Sequence, residues 1–504
     1  MFWADKIASE IIDSGKFKPY WVDDMKTPSG FAHVGSLMGP VIHSIIYQSL
    51  LNAKQEATFT FIINDFDPAD DLLPEIRGTH EGELGKPLKL AKSPDPKFKS
   101  MADLFGNDFI NSIKSLGVNP KIYSSWDLYH EGKFDEVIRI ALDNAEKIQD
   151  IYQRVSGSQK KQSGWLPFQV ICEKCGKLGT TKVFAWDSEK VSYKCEPDLV
   201  KWAVGCGHTG EISPFGGTGK LPWKVDWAAH WRVLGVTIEG AGKDHASAGG
   251  SYDIAMEICK EVFNYESPFK LPYEFILIGG KKMSSSKGLG LKAHDLVEIL
   301  PPTVARFLYA KHGIKSQSNF DPEDKNAIPS LFDEYQKAAD AYFNKEDEDL
   351  ARAFELSQIG EIVKPPSVRF SVLTSWVQMP NMEEEIKKGG LEDWAKYARV
   401  WVERFAPEDQ KFEIKKELPV NINLNSLQKD FLGKLAEKID KSKSGEDFQI
   451  EIYELGKEMG LGGKESFQAI YQVLLGKDHG PKAGWLILSL DPTFVKERFE
   501  EASK

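Results

Sequence analysis

Phe59-Thr60-Phe61-Ile62-Ile63 is an unbroken apolar run, of the kind a parallel sheet buries on both faces. Just upstream, residues 37–51 place Leu37, Val41, Ile45 and Tyr47 on a helical pattern. Before that helix, Tyr20-Trp21-Val22 reads as a short strand, followed by the turn signal Thr27-Pro28-Ser29-Gly30. Downstream, Lys121-Ile122-Tyr123-Ser124 reads as another strand and residues 131–156 as one long helix. Residues 3–14 read as an amphipathic helix with Trp3, Ile7, Ile11 and Ile12 on one face. Strands and helices in alternation predict an open α/β sheet.

Residues 165–222 break this alternation and hold four of the five cysteines. They read as a small inserted module. Strand-and-helix text resumes near Val233, and Cys259 falls on a predicted helix, 252–262, as a core thiol. From about 300 onward the pattern is helical, with Val304, Phe307 and Leu308 and later Phe332, Tyr335 and Tyr342 recurring at helical intervals. The expected organisation is 1–164 for the first half of the α/β domain, 165–222 for the insertion and 223–300 for the second half. A connecting helical segment, 301–340, and a helical region, 341–504, complete it.

Composition narrows the classes. At 504 residues, with 41% hydrophobic and 28% charged residues, the chain is neither disordered nor a fibre, and five cysteines cannot staple it as a disulfide scaffold. No run of 18 apolar residues occurs, and Met1–Lys6 lacks the basic-then-apolar order of a leader, so the expectation is a cytoplasmic protein without a membrane anchor. The net charge of −11 argues against non-specific coating of nucleic acid; any such contact has to come from local patches. Lys415, Lys416, Lys429, Lys434 and Lys438 are candidates, although helix surfaces carry such lysines by default.

Two loops carry chemistry. Thr27 to Ser36 joins a strand to a helix, the place where α/β sheets bind ligands. Gly30 and Gly35 let a ligand approach the backbone, the helix N-terminus suits phosphate, and His33 can donate to a phosphate oxygen. The plainer reading is a capped helix start with Ser36 and a loop histidine. The second loop, Gly279-Gly280-Lys281-Lys282-Met283-Ser284-Ser285-Ser286-Lys287-Gly288, is glycine-bounded and rich in hydroxyls and amines suited to polyphosphate. Read alone, it is equally a solvated loop.

Taken together, the two loops resemble the ATP signatures of class I aminoacyl-tRNA synthetases, HIGH and KMSKS. His33-Val34-Gly35-Ser36 has serine at the last position of the first, and Ser285 replaces the second lysine of the other, with Lys287 one residue beyond. Further stretches resemble the class I lysyl-tRNA synthetase family: Leu221 to Trp227, Gly242-Lys243-Asp244-His245-Ala246, Gly249 to Tyr252, Leu300-Pro301-Pro302 and Gly480 to Gly484. The resemblance implies a Rossmann-type parallel-sheet catalytic domain with a small zinc-ribbon-like insertion and an all-helical C-terminal region that contacts the anticodon.

The resemblance also implies an activity and its site. ATP with Mg2+ and lysine give lysyl-adenylate, and the lysyl group passes to the terminal adenosine of tRNA(Lys). His33, Lys282 and Lys287 are the catalytic candidates. Ser29, Gly30, His33, Gly35, Ser36, Gly242, Asp244, His245, Lys282, Met283, Ser284 and Lys287 are the ATP candidates. Thr27, Trp227, His245 and Tyr273 are the lysine candidates, with core packing an equal reading for Trp227 and Tyr273. Met25 stands where the family often has glycine. Other expectations consistent with the loops are a glutamyl or arginyl synthetase, or a non-catalytic tRNA-binding paralogue.

The insertion has its own signal. Cys172-x2-Cys175 is a metal knuckle, with Cys195 and Cys206 to complete a structural zinc site. The wide spacing of the second pair leaves His208 open as a ligand in place of Cys206 or Cys195.

Overall fold

The computed structural model describes residues 1–158, 164–277, 279–280, 291–439 and 443–504. They form two compact units: 1–297 with 302–321 and 338–362, and 298–301 with 322–337 and 363–504.

The first unit opens on the helix Trp3–Ser14, which buries Ala4, Ala8 and Ile11. Of the expected face Ile11 is fully buried, Ile7 and Ile12 are half-buried, alanines fill the rest of the inward stripe, and the half-buried Trp3 donates its indole N–H to the Ala310 carbonyl at 2.9 Å. Strand β1, Tyr20–Lys26, leads through the 27–36 turn into the helix Met38–Asn52 and then β2, Ala57–Ile63. Val41, Ile42, Ile45, Ile46 and Leu50 of that helix are fully buried. The stretch Val34–Asn52 has the length and apolarity of a membrane span, and 72% of it is buried inside the unit, against the sheet.

After the helix Met101–Ser115 comes β3, Lys121–Ser124. The long helix expected over 131–156 is two helices, Asp135–Asp143 and Ala145–Ser156, and a short one, Ser125–His130, precedes them. Gly132 takes a left-handed φ of 73° at the first break. At the second, the Asn144 side chain donates to the Ile140 carbonyl at 2.8 Å and ends the turn.

The insertion follows: β4 (Gln169–Val170), β5 (Thr181–Trp186), β6 (Val191–Cys195), β7 (Thr209–Ile212) and β8 (Gly219–Lys220). β5, β6 and β7 make an antiparallel sheet, and β4 pairs with β8. The α/β fold resumes earlier than Val233, with the helix Trp223–Leu234, then β9 (Ile238–Gly242), the helix Ser251–Glu261 that buries Cys259, and β10 (Phe269–Tyr273).

The central sheet runs β10-β9-β1-β2-β3 with every pair parallel. The strand order therefore reverses between β1 and β9, the switch point where such sheets bind ligands. β1 stays paired to β2 as far as Lys26, yet it pairs with β9 only at Val22–Ile238 and Asp23–Glu239. Beyond that register the two strands part.

The second unit is helical. Phe332 stacks on Phe370 with centroids 3.9 Å apart, and Phe431, Phe448, Ile470, Leu486 and Phe499 are buried. Arg498 is buried among them because its guanidinium donates to the carbonyls of Lys415, Lys416 and Val473.

Candidate active site

β1 carries two consecutive aspartates into the middle of the sheet. Asp23 is fully buried and accepts the Thr60 hydroxyl, which in turn accepts the Trp21 indole N–H at 2.9 Å. Its register partner, Glu239 on β9, is 1% exposed and accepts the Trp227 indole N–H at 2.8 Å on one oxygen and the Trp231 indole on the other. Burial pushes both carboxyl groups well above the usual range, with Asp24 adding to the rise at Asp23 and Asp23 adding to the rise at Glu239. Two indole donors oppose the shift at Glu239 and one hydroxyl opposes it at Asp23.

Asp24 faces the gap where β1 and β9 part. Burial raises its carboxyl, with His43 beside it pulling the other way. Gly240 donates its N–H to His43 Nε2 at 2.7 Å, which leaves Nδ1 as the protonated nitrogen. Nδ1 donates to the Gly39 carbonyl at 2.7 Å and lies 3.6 Å from Asp24. A Cβ on Gly39 would stand 2.6 Å from Asp24 Oδ2 and 2.9 Å from the Tyr273 hydroxyl, so that position has no room for a side chain.

A cleft of about 940 Å³ opens above these groups. Asp24 and Glu239 line its floor, and Trp223, Trp227, His245 and Tyr273 its aromatic wall. Trp223 stacks on Trp227 with centroids 5.8 Å apart, and His245 stands edge-on to Trp223 at 5.4 Å. Burial pushes the Tyr273 phenol well up, and Asp24 reinforces it, so the hydroxyl keeps its proton. Carboxylates beneath a stack of aromatic faces form a seat for a cationic chain with an apolar stem. Gln169, Thr181 and Lys220 of the insertion line the same cleft from the other side.

Among the sequence-predicted residues, Thr27, Ser29, Trp227, Gly242, His245 and Tyr273 line this cleft. Gly30, His33, Gly35 and Ser36 form the turn at the head of the helix Met38–Asn52, with Val34–Leu37 already helical. Asp244 lies in the short helix Lys243–Ala246 that follows β9. Lys282, Met283, Ser284 and Lys287 lie outside the described residues. The chain leaving that loop is described, and it pairs with the histidine turn. Val34 donates its N–H to the Leu291 carbonyl at 2.9 Å, and Ala293 donates to the Ala32 carbonyl at 2.7 Å. Segments some 250 positions apart thus share one backbone ladder.

Sequence reasoning passed over Asp24, Asp67, Lys220, Trp223, Asp226 and Glu239. The available signal was adjacent acids in a strand flanked by apolar neighbours, since charge in a central strand is costly unless it is used.

In the insertion, Cys172, Cys175, Cys195 and Cys206 converge, with all four sulfurs within 4.8 Å of one another. Cys172 and Cys206 are 3.6 Å apart and Cys175 and Cys195 3.7 Å. Thiolates about 2.3 Å from a tetrahedral zinc stand about 3.8 Å from each other, so the donor set fits that ion. His208 is not in the cluster. Its carbonyl accepts the Cys195 N–H at 2.8 Å, and its ring lies edge-on to Tyr193.

Comparison with known proteins agrees with this geometry. Residues 1–360 match the family model described as tRNA synthetases class I (K). The chain is 34% identical to a lysine–tRNA ligase of Archaeoglobus fulgidus, with 100% of both chains covered. It is 35% identical to a lysine–tRNA ligase of Methanocaldococcus jannaschii, covering 99% of each. A solved glutamate tRNA ligase from Elizabethkingia meningosepticum shares the fold, with a TM-score of 0.50 at 10% identity over 96% of this chain and 99% of that one. The parted parallel sheet, the pairing of residues 291–293 with the histidine turn and the full-length similarity lead to one conclusion: the chain belongs to the class I (K) tRNA synthetases.

Proposed function

We infer that the protein is a lysine–tRNA ligase: it activates lysine with ATP and transfers the lysyl group to tRNA(Lys). The observation that carries the choice of amino acid is the acidic floor and aromatic wall at the parting of β1 and β9. Lysine presents one net positive charge on an apolar stem, which this cleft complements. A glutamate side chain would meet Asp24 and Glu239 as like charges, which disfavours a glutamyl enzyme.

In the first step a carboxylate oxygen of lysine attacks the α-phosphorus of ATP, which enters as its Mg2+ complex. A new P–O bond forms and pyrophosphate leaves. In the second, a ribose hydroxyl of the terminal tRNA adenosine, the 2′-hydroxyl in enzymes of this type, attacks the lysyl carbonyl. AMP leaves and the hydroxyl proton is released. No covalent enzyme intermediate is needed, so the protein's work is positioning and charge stabilisation.

Thr27, Trp227, His245 and Tyr273 hold lysine, with Asp24, Glu239 and Trp223 added to that set. Ser29, Gly30, Gly35 and Ser36 offer backbone and hydroxyl donors to the phosphates at a helix start. His33 donates to a phosphate oxygen, Gly242, Asp244 and His245 border the nucleotide from the end of β9, and Met283 and Ser284 belong to the same loop as the two lysines. Lys282 and Lys287 meet the pyrophosphate as it gains charge. The four cysteines hold a structural zinc, which when bound braces the insertion as a closed tetrahedral site. The helical second unit supplies the anticodon contact.

Pyrophosphate exchange across the twenty amino acids, with and without tRNA, tests the assignment. Exchange with lysine alone is expected, and exchange with another amino acid in its place would overturn it. Lys282→Ala should slow exchange about 100-fold while lysine binding holds, the size of one lost transition-state donor.

A further inference from the structure

The last strand of the insertion ends on a lysine that is withdrawn from solvent. Lys220 is 2% exposed, and its Nζ lies 2.6 Å from Asp67 Oδ1 and 2.8 Å from Asp226 Oδ2. The other oxygens of both carboxylates are also committed. Thr27 donates its hydroxyl to Asp67 Oδ2 at 2.6 Å, and Tyr129 donates to Asp226 Oδ1 at 2.5 Å. Asp226 sits in the helix Trp223–Leu234, next to Trp227 and one turn from Trp223. One ammonium therefore ties together the hydroxyl on one side of the cleft and the indoles on the other.

The same lysine is bonded into the metal module. β8 pairs with β4 through Gln169–Lys220 and Val170–Gly219. The next residue, Ile171, donates its N–H to the Thr218 carbonyl at 2.9 Å, and Cys172 follows directly. A continuous bonded path thus runs from a cysteine of the sulfur cluster to Thr27.

A buried ammonium between one buried carboxylate, Asp226, and one half-buried carboxylate, Asp67, is a costly way to fill this space, and well-packed apolar residues would be as stable or more so. What the ions add is direction, because Lys220, Thr27 and Tyr129 hold the carboxylate oxygens from different elements. We propose that Lys220 is a positioning residue that fastens the cysteine-rich insertion to the groups seating the amino-acid substrate, so that the insertion governs lysine binding and not nucleotide binding. This rests on the lysine–tRNA ligase reading above.

The test uses the full-length, zinc-loaded enzyme with Lys220→Met, Lys220→Arg and Asp67→Asn. Lysine-dependent pyrophosphate exchange gives KM for lysine and for ATP. Indole fluorescence during a lysine titration gives lysine binding without turnover, and thermal midpoints report folding. Asp67→Asn and Lys220→Met are expected to raise the lysine KM and Kd about tenfold or more, with the ATP KM within about twofold, as for lost uniform binding of one substrate. Lys220→Arg should recover most of the loss, because it restores the charge. Removing zinc by chelation should give the same one-sided rise.

An unchanged lysine KM in Asp67→Asn, or equal rises for lysine and ATP, would overturn the proposal. If Lys220→Met does not fold, Asp67→Asn decides, since it keeps the shape and an acceptor for Thr27. If the unmodified enzyme exchanges with a different amino acid, the ligase reading fails instead.

Discussion

The floor of the cleft and its roof keep their shape by opposite means. The floor is five parallel strands, with Val22, Phe61, Ile62 and Ile238 buried to within 1% and helices packed over them. Its geometry is over-determined by packing, so it can carry three buried carboxyl groups at Asp23, Asp24 and Glu239. The roof has two-residue strands at β4 and β8, a three-stranded sheet and four converging sulfurs. Its fold depends on a few strong bonds. A floor of this kind tolerates the loss of one contact, whereas a roof of this kind fails as a unit.

The largest effect should come from the metal. Chelation, or Cys172→Ser, should strip hydrogen-exchange protection from residues 169–220 while β1 and β2 stay protected, because structural zinc supplies on the order of 10 kcal/mol to such modules. Equal protection in both regions before and after chelation would erase the contrast.

Next is Glu239→Gln. It keeps the shape but removes the carboxyl that two indoles orient and that ionises when the ammonium binds, so kcat/KM for lysine should fall about 100-fold, roughly 3 kcal/mol. A drop of less than fivefold would mean that Asp24 alone seats the cation.

His43→Ala leaves the Gly240 N–H without its acceptor and should cost about 1–3 kcal/mol in urea unfolding. Stability equal to the parent would show that another group takes that N–H. Gly39→Ala probes the floor from the helix side. Its new methyl meets Asp24 and Tyr273 inside normal contact, so overpacking should cost about 1–3 kcal/mol and lower Tm, and lysine KM should rise several-fold.

The smallest expected effect is with pH. Burial holds Asp24 and Glu239 protonated above the ordinary carboxylate range. Ammonium binding needs them ionised, so lysine affinity should rise with pH through that raised window. In the empty protein the native state binds more protons than the unfolded one there, so stability should fall as pH rises. Thermal midpoints measured against pH should slope downward without lysine and flatten with it. A flat profile in both would place the raised groups elsewhere.

Much of the sheet was legible from sequence because its strands are continuous apolar runs, as in 59–63. The helix reading over 131–156 was too long, since periodicity persists across Gly132 and Asn144 while the chain turns at each. The N-terminal helix buries alanines beside Ile11 because close packing there rewards small size as well as hydrophobicity. At the site, named motifs brought out Thr27, His33, Trp227 and His245. They did not bring out Asp24 or Glu239, whose importance comes from facing each other's strands across a gap that no local pattern encodes. Choosing Cys206 over His208 needed three dimensions too, because the return strands set which side chain points at the knuckle.

The imidazole of His43 deserves a last consequence. Two neighbouring strands cannot separate in a dry interior without stranding an amide, and the bare amide here is met by a ring nitrogen in place of a strand carbonyl. A histidine thus works as a patch on torn fabric, holding the seam open at a fixed width. Enzymes built on this sheet can gain a crevice by spending one side chain from the covering helix, with no need to rebuild the strands.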